Sequence, residues 1–86
     1  MYFISGFYKF KKISNIKKNK KVMQTFFINR AIRGSIIISK EGINGTISTN
    51  KKKLNEALNK IKKTFKFSNF DSLNYSKCNY QPFHRG

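Results

Sequence analysis

Few side chains in this sequence could do acid–base, nucleophilic or metal chemistry. They are the single cysteine Cys78, the single histidine His84, and the acids Glu41, Glu56 and Asp71. A metal site needs several ligands of compatible type, and a nucleophilic cysteine needs a base together with a group that orients the base. These five residues are scattered without such spacing. We therefore predict no catalytic residue, no metal and no cofactor site, and an ordinary thiol at Cys78.

A glycine-rich stretch, Gly42–Gly45, offers a second kind of chemistry. Glycine turns can form backbone nests that cradle a phosphate. A P-loop would also need a Lys-Ser/Thr pair at the start of a helix, and none follows here. The Asn44-Gly45 pair lies between two β-branched runs, which is typical of a hairpin turn whose residues adopt φ > 0. We favour this structural interpretation, a hairpin over Ser35–Thr49 with an exposed Glu41–Gly45 turn and Ile43 at its tip.

Positive charge is the third feature. The chain carries 19 Lys and Arg residues against three acids, for a formal charge of +16. A charge of this size is typical of a protein that binds a polyanion such as a nucleic acid. However, Lys, Asn and Ile are the residues that AT-rich codons produce, so drift in an AT-rich genome would give the same composition. The sequence leaves both explanations open.

Hydrophobic periodicity predicts a strand near each end of the sequence. The first, Tyr2–Phe10, has apolar side chains on both faces, which is usual for a strand in the centre of a sheet. Its faces carry Ile4, Gly6, Tyr8 and Phe10 on one side, and Phe3 and Phe7 on the other. A last strand is expected over Asp71–Lys77, with Leu73 and Tyr75 pointing inward.

Two stretches have the spacing of amphipathic helices. The first begins at Ile16, with Ser14 or Asn15 as its N-cap. Its apolar positions are Ile16, Met23, Phe27 and Ala31. The second is predicted from a continuous apolar stripe, Leu54, Ala57, Leu58, Ile61 and Phe65. Thr49 or Asn50 is its expected N-cap. Glu56 and Lys60 are spaced to form an ion pair on its surface.

The predicted order is strand, helix, strand, strand, helix, strand. In a chain of 86 residues this βαββαβ order is typical of an α+β, ferredoxin-like domain: a four-stranded antiparallel sheet with both helices on one face. Right-handed crossovers place the first and third strands in the centre. We expect one domain over residues 1–86. The sequence has no apolar run long enough for a membrane span, no signal peptide and no cysteine pair, so we expect a cytoplasmic protein.

Two activities found on this fold are not favoured by the sequence. Acylphosphatase chemistry needs an Arg in a phosphate cradle after the first strand, and Lys11–Asn15 contains none. RNA-recognition domains stack bases on aromatic residues of the two central strands. Here Thr46–Thr49 offers Ile47 and threonine at those places. Tyr8 and Phe10 could stack on bases, but strand aromatics more often belong to a core.

Three motifs carry a family resemblance over essentially the whole chain. They are FYKF at Phe7–Phe10, RGSIIISKEGINGTIS at Arg33–Ser48 and QPFHR at Gln81–Arg85. Together they resemble the N-terminal domain of the rhodanese-related tRNA uridine(34) hydroxylases. The most specific part is the EGINGT turn, formed by Glu41, Gly42, Ile43, Asn44, Gly45 and Thr46.

The resemblance implies a cytoplasmic enzyme that uses dioxygen to convert the wobble uridine of certain bacterial tRNAs to 5-hydroxyuridine. It places the reactive cysteine in a rhodanese domain that follows, so Cys78 has no such role and the chain alone is not expected to be active. Expected partners are tRNA and a rhodanese domain, in cis or in trans, with no membrane. The Glu41–Gly45 turn is a candidate contact with that second domain.

Lysines are the candidate RNA contacts, because phosphate contacts give salt-sensitive, sequence-tolerant affinity. The candidates are Lys9, Lys11, Lys12, Lys51, Lys52 and Lys53. The sequence ends abruptly at Gly86, without the next strand of the family. This favours a piece of a tRNA-modifying enzyme. The alternative is a stand-alone basic binding module, or a gene remnant, without catalysis.

Overall fold

The six predicted elements all form, in the predicted order. The computed structural model describes residues 2–78, and the QPFHR motif and His84 lie outside them. The bounds are β1 Tyr2–Phe10, α1 Ile16–Asn29, β2 Arg33–Ser39, β3 Gly42–Thr49, α2 Lys51–Phe65 and β4 Ser72–Cys78. In the region that the structure describes, no helix is long and apolar enough to cross a membrane.

The strands form one antiparallel sheet in the order β2-β3-β1-β4. The first and third strands are therefore central, as predicted. Both helices pack on one face of this sheet, the face that carries the buried side chains of Phe7, Ile43 and Ile47. The predicted ferredoxin-like fold is confirmed. On the other face, which we call the open face, neither helix packs, and Tyr8, Phe10 and Ile37 are exposed.

The core lies between the sheet and the two helices. The whole predicted stripe of α2 is buried, from Leu54 to Phe65, because its spacing keeps one side of the helix on the sheet. From α1, Met23 and Phe27 are buried, as predicted. Ala31 was wrongly included in that helix. It follows α1 with φ 53° and is exposed.

The position of the hairpin turn is also corrected by the structure. The turn consists of Lys40 and Glu41, and the rest of the EGINGT motif, Gly42–Thr46, lies in β3. Ile43 is fully buried and is not at an exposed tip. The reason is the alternation of the strand: Ile43 and Ile47 both face the helices only if the chain is already extended at Gly42.

Strand β4 is more exposed than the sequence suggested. Leu73 and Tyr75 do lie on the helix side, opposite Phe7 and Ser5 of β1. However, α2 packs on β1 and β3 and leaves this edge strand uncovered. Leu73 is 36% exposed and Tyr75 is 54% exposed, so the predicted inward position of Tyr75 is wrong.

A candidate nucleic-acid interface

The cations of the described strands and helices are distributed unevenly around the sheet. The open face of the sheet contains one, Arg33 of β2. By strand alternation, Lys9 and Lys77 lie on the helix side. Most others lie on the exposed surfaces of α1 and α2. These are Lys17, Lys18, Lys20, Lys21, Lys51, Lys52, Lys53, Lys60, Lys62 and Lys63. The helical layer is therefore the surface that would attract a polyanion.

One cluster of candidate lysines surrounds a pocket at the end of the sheet where Phe10 of β1 pairs with Gly42 of β3. We call this the upper end of the sheet. This loop pocket has a volume of about 300 Å³ and lies between the β1–α1 loop and the end of α2. Three cations line it, Lys11 and Lys12 from the loop and Lys66 from the C-cap of α2. The remaining lining residues are Ile13, Ser14, Asn15, Asn19, Thr64 and Phe65.

The loop that forms this pocket is held in place by the neighbouring hairpin. The Lys11 amide donates to the Glu41 carbonyl at 2.9 Å, and the Ile13 amide donates to the Lys40 carbonyl at 3.1 Å. Ile13 is itself buried in the core. Lys11 and Lys12 therefore project from a fixed backbone, which lowers the entropic cost of binding a phosphate. The loop has no Arg, so the fork geometry of an acylphosphatase cradle is missing here.

Lys9 differs from the other candidates because it already has contacts within the protein. Its ammonium lies 3.4 Å from Asp71 Oδ1 and 5.4 Å from the centre of the Phe67 ring. The Phe10 amide donates to Asp71 Oδ2 at 2.6 Å. That hydrogen bond, with a smaller contribution from Lys9, holds the pKa of the Asp71 carboxyl below its ordinary value.

The second lysine cluster, Lys51–Lys53, lies at the lower end of the sheet. Phe10 pairs with Gly42 at one end of β1 and Phe3 pairs with Thr49 near the other. Seven residue steps of about 3.3 Å separate these pairs, or roughly 23 Å. The six lysines predicted to bind RNA therefore do not form one site. They form two clusters, which would contact phosphates well apart on an RNA.

The acids and the cysteine do not assemble into a reactive group in the described region. Asp71 contacts Lys9, and Glu56 lies 3.5 Å from Arg30 rather than pairing with Lys60. Glu41 is in the hairpin turn. Among residues 2–78, no three His, Cys, Asp or Glu side chains are close enough to share a metal ion. The Cys78 side chain and His84 lie outside the part that the structure describes.

Three aromatic side chains of the described residues are exposed at positions where the sequence favoured burial. Tyr8 and Phe10, expected in a core, are 41% and 64% exposed on the open face of the sheet. Their neighbours on β3 are Asn44 and Gly42. On the helix side, Tyr75 and Lys51 line the same groove. Neither Tyr75 nor Lys66 was predicted from the sequence to contact RNA. Only the tertiary structure brings these two residues near lysines that are distant in sequence.

Comparison with known proteins agrees with the motifs. Residues 2–86 match the family model described as the UPF0176 acylphosphatase like domain. The tRNA uridine(34) hydroxylase of Pelagibacter ubique (strain HTCC1062) is 49% identical over 85 residues, which is 99% of this chain and 28% of that protein. Proteins of the same name from Ehrlichia ruminantium (strain Welgevonden) and Wolbachia sp. subsp. Brugia malayi (strain TRS) are 32% and 31% identical. Those matches cover 91% and 93% of this chain, and 29% of each relative.

The chain thus spans less than a third of the length of the curated relatives that it matches. The match to the family model covers nearly every residue, and the predicted resemblance is confirmed. This chain belongs to the family of UPF0176 acylphosphatase like domains.

Proposed function

We propose that this chain is the tRNA-contacting domain of a tRNA uridine(34) hydroxylase, acting in the cytoplasm. The observation that carries the proposal is the 49% identity to such an enzyme over 99% of the chain but 28% of the relative. The oxidative chemistry is then done by other parts of the enzyme, in particular a rhodanese domain in cis or in trans. The cationic helical layer supports this division of labour, since it suits a domain that holds RNA.

Lysines act on RNA as point charges that neutralise phosphates and release counterions. Lys11, Lys12 and the Lys51–Lys53 cluster are the principal candidates, because their side chains lie at the surface. Lys9 contributes less, since its ammonium is already shared between Asp71 and the Phe67 ring. Contacts of this kind orient an RNA without reading its sequence. Selection of the uridine to be modified is therefore assigned to the rest of the enzyme.

Charge reversal at the lower lysine cluster tests the RNA contact. The triple variant Lys51→Glu, Lys52→Glu and Lys53→Glu is expected to bind unmodified tRNA more weakly, with a smaller salt slope, in a fluorescence-anisotropy titration. A matched control reverses Lys17, Lys18 and Lys21 of α1, so that the net charge changes equally. If both variants lost affinity to the same extent, the cluster would have no special role and only the overall charge would matter.

A second experiment separates the domain of an enzyme from a stand-alone binding module. The 86-residue protein alone is expected to leave tRNA unmodified, as measured by mass spectrometry of tRNA nucleosides. Sequencing the neighbouring locus and measuring the intact mass of the expressed product would show whether a rhodanese domain is joined to it or encoded beside it. If no such domain were found, a basic binding module without catalysis would replace the enzyme domain as the proposed function.

A further inference from the structure

A groove lined by aromatic, aliphatic, cationic and amide side chains runs between α2 and the edge strand β4. We call it the edge groove. It has a volume of about 250 Å³, and its lining residues are Phe3, Lys51, Leu54, Asn55 and Tyr75. It exists because α2 packs on β1 and β3 and stops short of β4. The helix side of this strand therefore remains open to solvent.

Two aromatic residues line the groove: Phe3 packs against the core, and Tyr75 is largely exposed. Tyr75 is 54% exposed, whereas Leu54, which lines the same groove, is 1% exposed and belongs to the core. Tyr75 pairs across the sheet with Ser5, a small residue, and Phe3 lies diagonally opposite on the same side of the sheet. More than half of the Tyr75 surface is exposed, so its ring is available to a planar ligand.

One cation and a neutral amide line the groove, and a second cation lies over the ring of Phe3, which also lines it. Lys51 lines the groove directly, and the Lys77 ammonium lies 5.9 Å from the centre of the Phe3 ring. Asn55 adds an amide that can both donate and accept a hydrogen bond. The chain has three acids, Glu41, Glu56 and Asp71, and none of them lines the groove as the structure describes it.

We propose that the edge groove binds one unpaired nucleotide of a nucleic-acid strand. The base stacks on Tyr75, the adjacent phosphate contacts Lys51, and the Asn55 amide contacts a polar edge of the base. Stacking on an exposed ring requires a base that is free of its helix, as in a loop or a single strand. The groove therefore distinguishes unpaired from paired strands, which lysines alone would not do. The assignment of this strand to RNA rests on the proposed function.

The open face of the sheet is a weaker candidate for the same ligand. It exposes Tyr8 and Phe10, but the described strands place only one cation there, Arg33. A strand of nucleic acid needs cations along its backbone as well as rings for its bases. The edge groove supplies both within one site.

The test uses the 86-residue protein with two probes, a short oligouridylate and a blunt RNA duplex of similar length. Tyr75→Ala is expected to weaken binding of the single strand by about five- to a hundredfold. Tyr75→Phe keeps the ring and is expected to stay within about threefold of the original affinity. Binding of the duplex should change little in either variant. Lys51→Ala is expected to lower the salt slope for the single strand by about 0.7.

Tyr8→Ala is the matched control, because Tyr8 is also an exposed tyrosine but lies on the opposite face of the sheet. It is expected to leave both affinities unchanged. The amide NMR spectrum of each variant checks that the fold is retained. In the unaltered protein, the oligouridylate should shift the amide signals of Lys51, Asn55 and Tyr75.

The outcomes separate the two proposals. If Tyr75→Ala bound the single strand as well as the original protein did, while reversal of Lys51–Lys53 still weakened tRNA binding, the groove assignment would be wrong and the proposed function would stand. If Tyr8→Ala alone lost affinity, the stacking site would be the open face of the sheet. If the protein bound neither tRNA nor the oligouridylate, both proposals would be overturned. A competing DNA oligomer that displaced the oligouridylate equally well would overturn the assignment to RNA.

Discussion

Gly45 lies where two strands and a core side chain leave no room for a Cβ atom. The sequence suggested that Gly45 is glycine in order to adopt φ > 0 in a turn. In the structure it is paired within β3, and the positive φ of the motif belongs to Gly42, at 155°. A Cβ at Gly45 would lie 2.5 Å from the Ser35 carbonyl oxygen and 2.9 Å from Phe7 Cζ. Close approach is therefore the reason for this glycine.

Gly45→Ala is expected to destabilise the protein by about 1–3 kcal/mol, because the clash is with backbone and a buried ring that cannot move freely. In a domain of this size that lowers Tm by about 4–8 °C for each kcal/mol, measurable by circular dichroism. Gly6→Ala is the control, since a Cβ there would meet nothing closer than Thr46 Oγ1 at 3.9 Å. Equal Tm values for the two variants would contradict the explanation by close approach.

Asp71 links the end of β1 to the start of β4, and its carboxylate should make stability depend on pH. The pKa of this group in the folded protein is lowered from 3.8, chiefly by the Phe10 amide. Its contribution to stability is therefore present above about pH 4 and is lost as the pH falls through the lowered pKa. The stability difference between the original protein and Asp71→Asn, measured by urea unfolding, is expected to shrink below about pH 4.

Lys9→Met separates the two partners of that carboxylate. The amide hydrogen bond is the main cause of the lowered pKa. In the Lys9→Met background, the difference in stability between Asp71 and Asp71→Asn is therefore expected to keep most of its pH dependence. If the difference vanished in Lys9→Met, the ion pair would be the dominant contact instead.

At the scale of elements, the two helices begin in different ways. Asn50, the N-cap of α2, has extended backbone, and its Oδ1 accepts a hydrogen bond from the Lys53 amide at 2.9 Å. Asn15, the N-cap of α1, is left-handed with φ 52° and makes no side-chain capping bond. Asn19 Nδ2 instead donates to the Ser14 carbonyl. The sequence left Ser14 or Asn15 open as the first cap and Thr49 or Asn50 as the second, and the structure selects Asn15 and Asn50. The conformation of each cap depends on the direction from which the chain arrives.

Asn50→Ala is expected to cost about 1 kcal/mol of unfolding free energy, because it removes the acceptor for an amide of the first turn. Asn50→Asp keeps an acceptor and also places a negative charge at the N-terminus of the helix, so it should restore the stability. Urea unfolding of both variants measures the effect. A loss of stability in Asn50→Asp equal to that in Asn50→Ala would show that capping is not the cause.

At the scale of the whole molecule, the cations are concentrated on one side of the sheet. The helix side carries most of the described cations, and the open side exposes Tyr8, Phe10 and Ile37 with one cation. The formal charge of +16 is distributed over 86 residues, so the folded chain brings many like charges close together. Such repulsion destabilises a compact state, and salt weakens it by screening.

Sodium chloride is therefore expected to raise Tm as its concentration increases from low values to about 0.5 M, where the Debye length is below 8 Å. The triple reversal of Lys51, Lys52 and Lys53 replaces a positive by a negative charge at each position and takes the formal charge from +16 to +10. Its Tm should rise less with salt. A Tm that was independent of salt in the original protein would show that the lysines are too well solvated to repel one another appreciably.

The sequence by itself determined the elements, their order, the central strands and the stripe of α2. These follow from local periodicity and chain connectivity, which the residues of each segment carry themselves. The family was equally accessible, because its motifs lie along the chain. The hairpin turn was misplaced since Asn44-Gly45 has the local chemistry of a turn, while burial of Ile43 under the helices made it a strand.

Only the tertiary structure decided how the surface is organised. It separated the six candidate lysines into two clusters, brought Lys66 to the pocket of Lys11 and Lys12, and placed Tyr75 in the same groove as Lys51. These contacts join residues far apart in sequence, so no local pattern encodes them. They depend on how far α2 extends over the sheet, which is set by packing of the whole core.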